Sequence, residues 1–169
     1  MFTCIINVKR DIKCVNKFAF FIYLLFCLTV MSVAHIMGGR SYLYNCLRLP
    51  LFAPARVCFI FIIVLLCILI SLAAALHINR FKRPGIFWKL KANLLFASFV
   101  VLCGVWYPTF FSLRRFTSAL IILLTVMIIG MICVKVFSKK CLSASLVMFG
   151  AEIIIIYLFF LQLCINILN

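Results

Sequence analysis

Residues 57–78 read VCFIFIIVLLCILISLAAALHI, a run of 22 positions without a formally charged side chain. An α-helix needs about 20 consecutive apolar residues to cross the hydrocarbon core of a bilayer. The run therefore predicts a transmembrane helix, and the rest of the chain can be interpreted around it.

Four further apolar runs flank this stretch, and together they predict an all-α membrane protein, a bundle of five transmembrane helices. Glu152 is the only acid inside any of the runs. Pro108 lies within the third run, so we expect that helix to end near Tyr107. The predicted spans are 18–37, 57–78, 92–107, 116–134 and 142–168. Short loops connect them, so we expect one domain over 18–169, preceded by a basic tail over 1–17.

The composition excludes several classes of protein. Hydrophobic residues make up 69% of the 169 positions and charged residues 11%, against roughly 45–50% and about 25% in soluble domains. A water-soluble enzyme, a disordered basic tail and a disulfide-rich secreted module are all excluded. The net charge of +15 does not indicate nucleic acid, because Lys and Arg of membrane proteins collect in loops beside anionic headgroups. The lipid bilayer is the expected partner.

Basic residues alternate between the two sides of the predicted bundle. The tail, the second loop and the fourth loop carry twelve Lys and Arg, whereas the first and third loops carry five. Since loops rich in Lys and Arg stay in the cytoplasm, we expect a cytoplasmic N-terminus and an outside C-terminus. The asymmetry favours a bacterial inner membrane, with a mitochondrial outer membrane as the alternative.

The first span allows a second interpretation. A basic segment, an apolar run and the small residues Ser32 and Ala34 are also typical of a cleaved secretory signal. We expect the span to be retained, because it is long enough to cross the membrane. A mature protein that begins at His35 would show cleavage.

The ten cysteines do not have the spacing of a metal or redox site. No two stand as C-x-x-C, and most lie inside apolar runs, where cysteine behaves as a small hydrophobic residue. We therefore predict no metal site.

The first loop, residues 38–55, reads GGRSYLYNCLRLPLFAPA and differs from the surrounding apolar sequence. Pro50 and Pro54 fix their φ angles and favour a stiff extended or turn segment. Tyr42, Tyr44 and Phe52 add aromatic faces. Such a loop is suited to act as a lid over a flat apolar ligand, and the alternative is an interfacial belt of aromatic residues with turn prolines.

Three segments resemble motifs of the TspO/MBR family, the tryptophan-rich sensory or translocator proteins, also called peripheral-type benzodiazepine receptors. Residues 44–54, YNCLRLPLFAP, are similar to the family's WYxxLxKPx(W/F)xPP in its first loop. Residues 102–114, LCGVWYPTFFSLR, are similar to LNxxWxxxFFxxR. Leu161-Gln162 and Asn169 fall where the family has Leu-Asn and a closing Asn. The resemblance implies a five-helix bundle of TspO/MBR type.

The chain departs from the family pattern where the family carries most of its tryptophans. Residues 150–154, GAEII, stand where the family has PYxxW in the fifth helix, and Trp88 and Trp106 are the only tryptophans left. These losses weaken the inference to a ligand but not to the fold. The other replaced positions are Leu43 for Trp, Leu49 for Lys, Ala55 for Pro, Ile63 for Trp and Cys103 for Asn.

The resemblance implies a binding site for a porphyrin or haem inside the bundle, beneath the first loop, with no further cofactor required. Aromatic faces stack on such a macrocycle and cations pair with its propionates. We expect Arg48 and Arg56 to contact the propionates, with interface anchoring as the alternative. Carried over by position, the ligand-binding residues are Tyr44, Pro50, Phe52 and Pro54 in the lid, Trp106, Phe110 and Phe111 in the third helix, and Leu161 in the fifth.

Three polar residues near or inside the spans have open roles. His35 lies one turn before the first loop, where it could reach a haem iron, and the alternative is an interfacial residue, as we expect for His77. Glu152 must be protonated, paired or facing a cavity, because a bare carboxylate in a span costs several kcal/mol. A functional carboxyl and a helix–helix hydrogen bond are both open interpretations.

Three classes of function stay open. We favour binding and transport or sensing of a tetrapyrrole or another lipophilic ligand. A regulatory membrane protein that acts through protein partners and has a degenerate pocket is the alternative. A porphyrin-degrading enzyme is less favoured, since the chain has no nucleophile–base pair and no metal spacing, so we predict no catalytic residues.

Small residues at Gly104, Gly130 and 71–75 are compatible with a homodimer.

Overall fold

Five helices form the protein in a computed structural model, which describes residues 16–38, 47–79, 86–139 and 141–169, apart from a few side chains at helix ends. All five are long and apolar enough to cross a membrane, so the predicted all-α, five-helix fold of an integral multi-pass membrane protein is confirmed. The helices are α1 (Lys17–Met37), α2 (Arg56–Asn79), α3 (Ile86–Phe111), α4 (Phe116–Ser138) and α5 (Leu142–Leu168).

Helix α3 continues through Pro108 to Phe111, which corrects the predicted end at Tyr107. Pro108 has no N–H to donate to the carbonyl of Gly104, but its own carbonyl accepts from the Ser112 N–H at 2.8 Å. The proline thus costs one hydrogen bond near the end of the helix, and transmembrane helices tolerate such a loss.

The helices pack as a closed ring in the order α1–α2–α5–α4–α3, so that each helix contacts two neighbours. The first loop therefore lies at the same end of the ring as the C-termini of α1, α3 and α5. We call this the loop-1 end and the opposite one the tail end. The most extensive packing joins α4 to α5.

Helices α4 and α5 meet along a seam of buried residues spaced alternately four and three apart. This spacing is that of antiparallel helices in a coiled coil. The hydrophobic effect does not drive helix association in lipid, so small residues along the seam are important because they let the two backbones approach closely. The seam comprises Ala119, Leu123, Val126, Gly130, Cys133 and Phe137 of α4, and Ala144, Met148, Ala151, Ile155, Leu158, Gln162 and Ile165 of α5.

Polar side chains reinforce this seam at both ends. The Ser145 hydroxyl donates to the carbonyl of Val134 at 3.1 Å, and the Gln162 amide donates to the carbonyl of Phe116 at 3.3 Å. Between them, the Glu152 carboxyl lies where a side chain at Gly130 would be. The absence of a Cβ at Gly130 is therefore what makes room for Glu152.

Helix α1 is the most lipid-exposed member of the ring. Asn16 caps its first turn by accepting from the Phe18 N–H at 3.1 Å. Ala34 is buried, and Val30 lies so close to Gly104 of α3 that a Cβ there would overlap it. Helix α1 therefore approaches α3 closely at Gly104, and its Tyr23 packs edge to face on Phe96 with centroids 4.9 Å apart.

The small residues that suggested a homodimer are engaged within the chain instead. Gly104 packs against α1, and Gly130 packs against α5. In the 71–75 stretch, Ser71, Ala73, Ala74 and Ala75 are all buried. A homodimer would have to use other surfaces.

Replacing Gly130 by Ala tests the seam, because the added methyl group overlaps the Glu152 carboxyl. We expect the free energy of unfolding in detergent micelles to fall by about 1–3 kcal/mol, the usual cost of overpacking. Gly150→Ala is the matched control, since nothing lies within 4 Å of a Cβ at Gly150. That variant should be as stable as the native protein or slightly more stable, and equal destabilisation of both variants would contradict the seam.

Candidate functional site

Asn169, the residue that follows α5, holds the first loop down on the bundle. Asn169 accepts a hydrogen bond from the Arg48 N–H at 3.0 Å, and its amide donates to the Arg48 carbonyl at 3.1 Å. The same amide donates to the carbonyl of Ile165 at 3.0 Å, which fixes its orientation. These bonds, which we call the Asn169 clasp, pair both backbone groups of Arg48 with one side chain.

A second contact from α5 fixes the loop further along. The Tyr157 hydroxyl donates to the carbonyl of Phe52 at 3.0 Å, and the two rings meet edge to face with centroids 6.5 Å apart. A turn closed by the Ala53 N–H on the Pro50 carbonyl, at 2.9 Å, lies beside them. The described part of the first loop is therefore anchored to α5 at two points.

A cluster of aromatic side chains lies directly beneath the loop. Trp106 stacks on Phe110 with centroids 5.9 Å apart and planes 13° from parallel, and Phe59 of α2 lies 6.1 Å from Trp106 on a tilt. Leu47 and Ala53 of the loop pack against this cluster. The aromatic cluster comprises Phe59, Trp106, Tyr107, Phe110 and Phe111.

The bundle encloses a small cavity on the tail-end side of the aromatic cluster. Its volume is about 20 Å³, and all five helices contribute to its wholly apolar wall. Sites for drug-sized ligands usually measure about 300–1,000 Å³. A macrocycle would therefore have to separate side chains that touch here. The wall comprises Met31, Ile63, Leu66, Cys103, Trp106, Tyr107, Leu123, Ile155 and Leu158.

The structure brings together the candidate ligand-binding residues from the helices. Trp106, Phe110, Phe111 and Leu161 are buried in one apolar cluster, and among these four Trp106 is the one in the cavity wall. The indole N–H of Trp106 has no hydrogen-bond partner within the described part of the chain. These four residues therefore share one buried apolar cluster beneath the loop.

The candidate residues of the loop lie above the cluster, with varied exposure. Phe52 is 51% exposed, whereas Pro50 and Pro54 are half-buried and the Arg48 side chain is exposed. Tyr44 lies outside the described residues, as does the side chain of Arg56.

The two histidines differ in their surroundings. His35 is exposed and stacks on Tyr107 with centroids 5.5 Å apart, and it does not contribute to the cavity wall. His77 is buried and stacks on Phe137 at 4.4 Å. His77 lies in the last turn of α2, where the Phe137 ring of α4 covers it.

In residues 16–38, 47–79, 86–139 and 141–169, no group of three or more His, Cys, Asp or Glu side chains could hold a metal ion. Both oxygens of the buried Glu152 carboxyl lack a hydrogen-bond partner in the same ranges. The helix–helix hydrogen bond expected for Glu152 is thus not formed, because the opposing position on α4 is a glycine.

A larger groove lies on the outside of the bundle, between α1 and α3. It has a volume of about 610 Å³ and is open to the lipid. Ala34, Gly104 and Pro108 lie in its floor and walls, so small residues and the proline create it. Of the predicted ligand-binding residues that the structure describes, none lines this groove.

Three contributors to this site were not identified from the sequence. Phe59 extends the aromatic cluster from α2, Tyr157 binds the loop backbone, and Asn169 was noted only as a motif match. A signal for Asn169 was present, because the four-and-three spacing of the α5 seam continues from Ile165 to position 169. Tyr157 gave no such signal, since its partner is a backbone carbonyl.

Comparison with known proteins agrees with this architecture. The TspO/MBR family model matches residues 19–168, which is nearly the whole chain. No curated protein matches the chain significantly.

Asn169→Ala tests the clasp. Without the acceptor, the Arg48 amide is exposed to water, and we expect its hydrogen–deuterium exchange to accelerate about tenfold, as for the loss of one typical hydrogen bond. Asn93→Ala is the control, because Asn93 accepts from the Tyr23 hydroxyl on α1, away from the loop. An unchanged exchange rate at Arg48 in the Asn169 variant would show that the clasp does not hold the loop.

Proposed function

The chain belongs to the TspO/MBR family, and from that premise we propose that it binds a flat lipophilic ligand of the tetrapyrrole class, such as protoporphyrin IX or haem, for transport or sensing. The proposed site is the interior of the bundle beneath the first loop. The observation that carries the proposal is the aromatic cluster, which is buried, roofed by the loop and continuous with the wall of the enclosed cavity.

The chemistry of the cluster suits a macrocycle. An apolar slot removes the faces of the ring from contact with water and lipid headgroups, and aromatic side chains stack on it. Trp106 and Phe59 lie on two different helices, so a planar guest that enters between them gains a face from each. Such entry separates the two rings, and the first loop must lift to permit it.

Charge at the loop-1 end supports one orientation of the guest. Arg48 has its backbone fixed by the Asn169 clasp and its side chain exposed, so its guanidinium is available to a propionate at the mouth of the site. Arg56 follows at the start of α2. We propose that the carboxylate edge of the guest lies at this end, where arginine forms charge-assisted hydrogen bonds.

We further propose that the protein binds its ligand without converting it and needs no additional cofactor. Orientation follows the charge pattern of the loops, with the tail in the cytoplasm and the first loop outside. The same pattern favours a bacterial inner membrane over a mitochondrial outer membrane.

A second candidate function is regulation through protein partners, with a pocket that no longer takes a ligand. The observation that favours it is the small size of the cavity. Ile63 and Cys103 line its wall, and both stand where the family pattern has a larger or more polar residue. Absence of porphyrin binding would select this candidate.

Fluorescence titration of the purified protein with protoporphyrin IX tests the proposal. We expect saturable binding by the native protein, and Trp106→Ala and Tyr44→Ala should each weaken it about three- to tenfold by removing an aromatic contact. Phe160→Ala is the control, since Phe160 is exposed on the outside of α5 and its variant should bind as the native protein does.

Unchanged affinity in both the Trp106 and Tyr44 variants would contradict the site. Light-dependent loss of the porphyrin absorption band in the native complex, absent in a protein-free control, would contradict the proposal of binding without conversion.

A further inference from the structure

Glu152 lies in the middle of α5 with a side chain that is 0% exposed. Its polar neighbours on the α4–α5 seam, Ser145 and Gln162, both donate to backbone carbonyls of α4. Glu152 differs from them, because neither of its carboxylate oxygens has a hydrogen-bond partner within the described part of the chain. Two buried oxygen atoms are therefore left without a hydrogen-bond donor from the described residues.

The described surroundings of Glu152 offer no compensating charge. Gly130 lacks the side chain that would otherwise occupy the position of the carboxyl, and the ring of Phe99 also lies beside Gly130. The nearest cation along α4 is Lys135, which is exposed on the outside of the bundle. An unpaired acid at this depth is costly and typically marks a functional site.

Glu152 lies about one helical turn from the wall of the enclosed cavity and does not itself contribute to that wall. Ile155 lies three residues beyond Glu152 on α5 and lines the cavity, and Cys103 of α3 lines it as well. Glu152 therefore lies on the tail-end side of the cavity, opposite the aromatic cluster and the first loop.

We propose that Glu152 anchors the amino group of a lipophilic amine whose apolar body occupies the bundle interior. A protonated secondary amine carries two N–H donors, which match the two unpartnered oxygens, and one positive charge, which neutralises the carboxylate. A hydroxyl group would supply one donor and no charge. The inference rests on the proposed function, because it requires that the interior admit a ligand.

This anchor also acts on ligands that carry carboxylates. A propionate beside Glu152 would place two acids together in an apolar interior, which is strongly unfavourable. Glu152 thus excludes the carboxylate edge of a guest from the tail-end side of the cavity and directs it to Arg48 at the loop-1 end.

A matched pair of flat fluorescent probes tests the anchor. 9-(Methylaminomethyl)anthracene carries a basic amine, and 9-ethylanthracene is a neutral compound of similar shape. Each is titrated into nanodiscs that contain the native protein, with protein-free nanodiscs as the correction for lipid partitioning. We expect the native protein to bind the amine about 10- to 100-fold more tightly, as for hydrogen bonds to a charged group.

Glu152→Gln keeps the shape of the side chain and removes its charge, so we expect it to abolish most of this preference and to leave binding of the neutral probe unchanged. Ser145→Ala is the matched control on the same seam and should retain the preference. Equal affinity of the native protein for both probes, or an undiminished preference in the Glu152 variant, would overturn the inference.

A measurement on the native chain covers the case in which the Glu152 variant does not fold. Dicyclohexylcarbodiimide modifies carboxyl groups inside membranes, and we expect the amine, but not 9-ethylanthracene, to slow modification of Glu152 as followed by mass spectrometry. Equal rates with both probes would overturn the anchor. If neither anthracene nor protoporphyrin IX binds, the proposed function fails too, whereas porphyrin binding without amine preference refutes the anchor alone.

Discussion

Close approach of α4 and α5 at Gly130 is the constraint on which the rest of the bundle depends. Helices in lipid gain little from burying one apolar surface against another, so they associate where small residues let their backbones pack. The packing of α4 on α5 places Glu152 against Gly130, Ser145 against Val134, and Gln162 against Phe116. Because α4 and α5 are fixed in this register, the ring can close around α2, α1 and α3.

The same register connects the core of the bundle to its loop. The seam of α5 continues past Ile165 to Asn169, which places that side chain over the end of the bundle and against the backbone of Arg48. Tyr157, further back on α5, reaches Phe52. One helix therefore contributes the Glu152 carboxyl, part of the cavity wall and both anchors of the first loop. A change in the position of α5 would alter the interior and its roof together.

Hydropathy alone was sufficient to predict five helices and most of their bounds, because 20 apolar residues in sequence have few other stable arrangements. The prediction from hydropathy failed at Pro108. It assumed that the proline ends α3 at Tyr107, whereas a proline near the C-terminus of a helix removes only one hydrogen bond. The apolar runs also contain a helix-packing pattern, which is found in the spacing of Ala, Gly, Cys and Ser and not in the hydropathy of the residues. The aromatic cluster could be predicted from residues 102–114, whereas Phe59, Tyr157 and the size of the cavity depend on how helices distant in sequence pack.

We propose that a flat lipophilic ligand enters the interior beneath the first loop rather than the wider groove between α1 and α3. An experimental structure of the protein saturated with protoporphyrin IX distinguishes the two sites. We expect the macrocycle between Trp106 and Phe59, with its carboxylate edge toward Arg48. A macrocycle lying against Gly104 and Pro108 on the outer face of the bundle would contradict the claim.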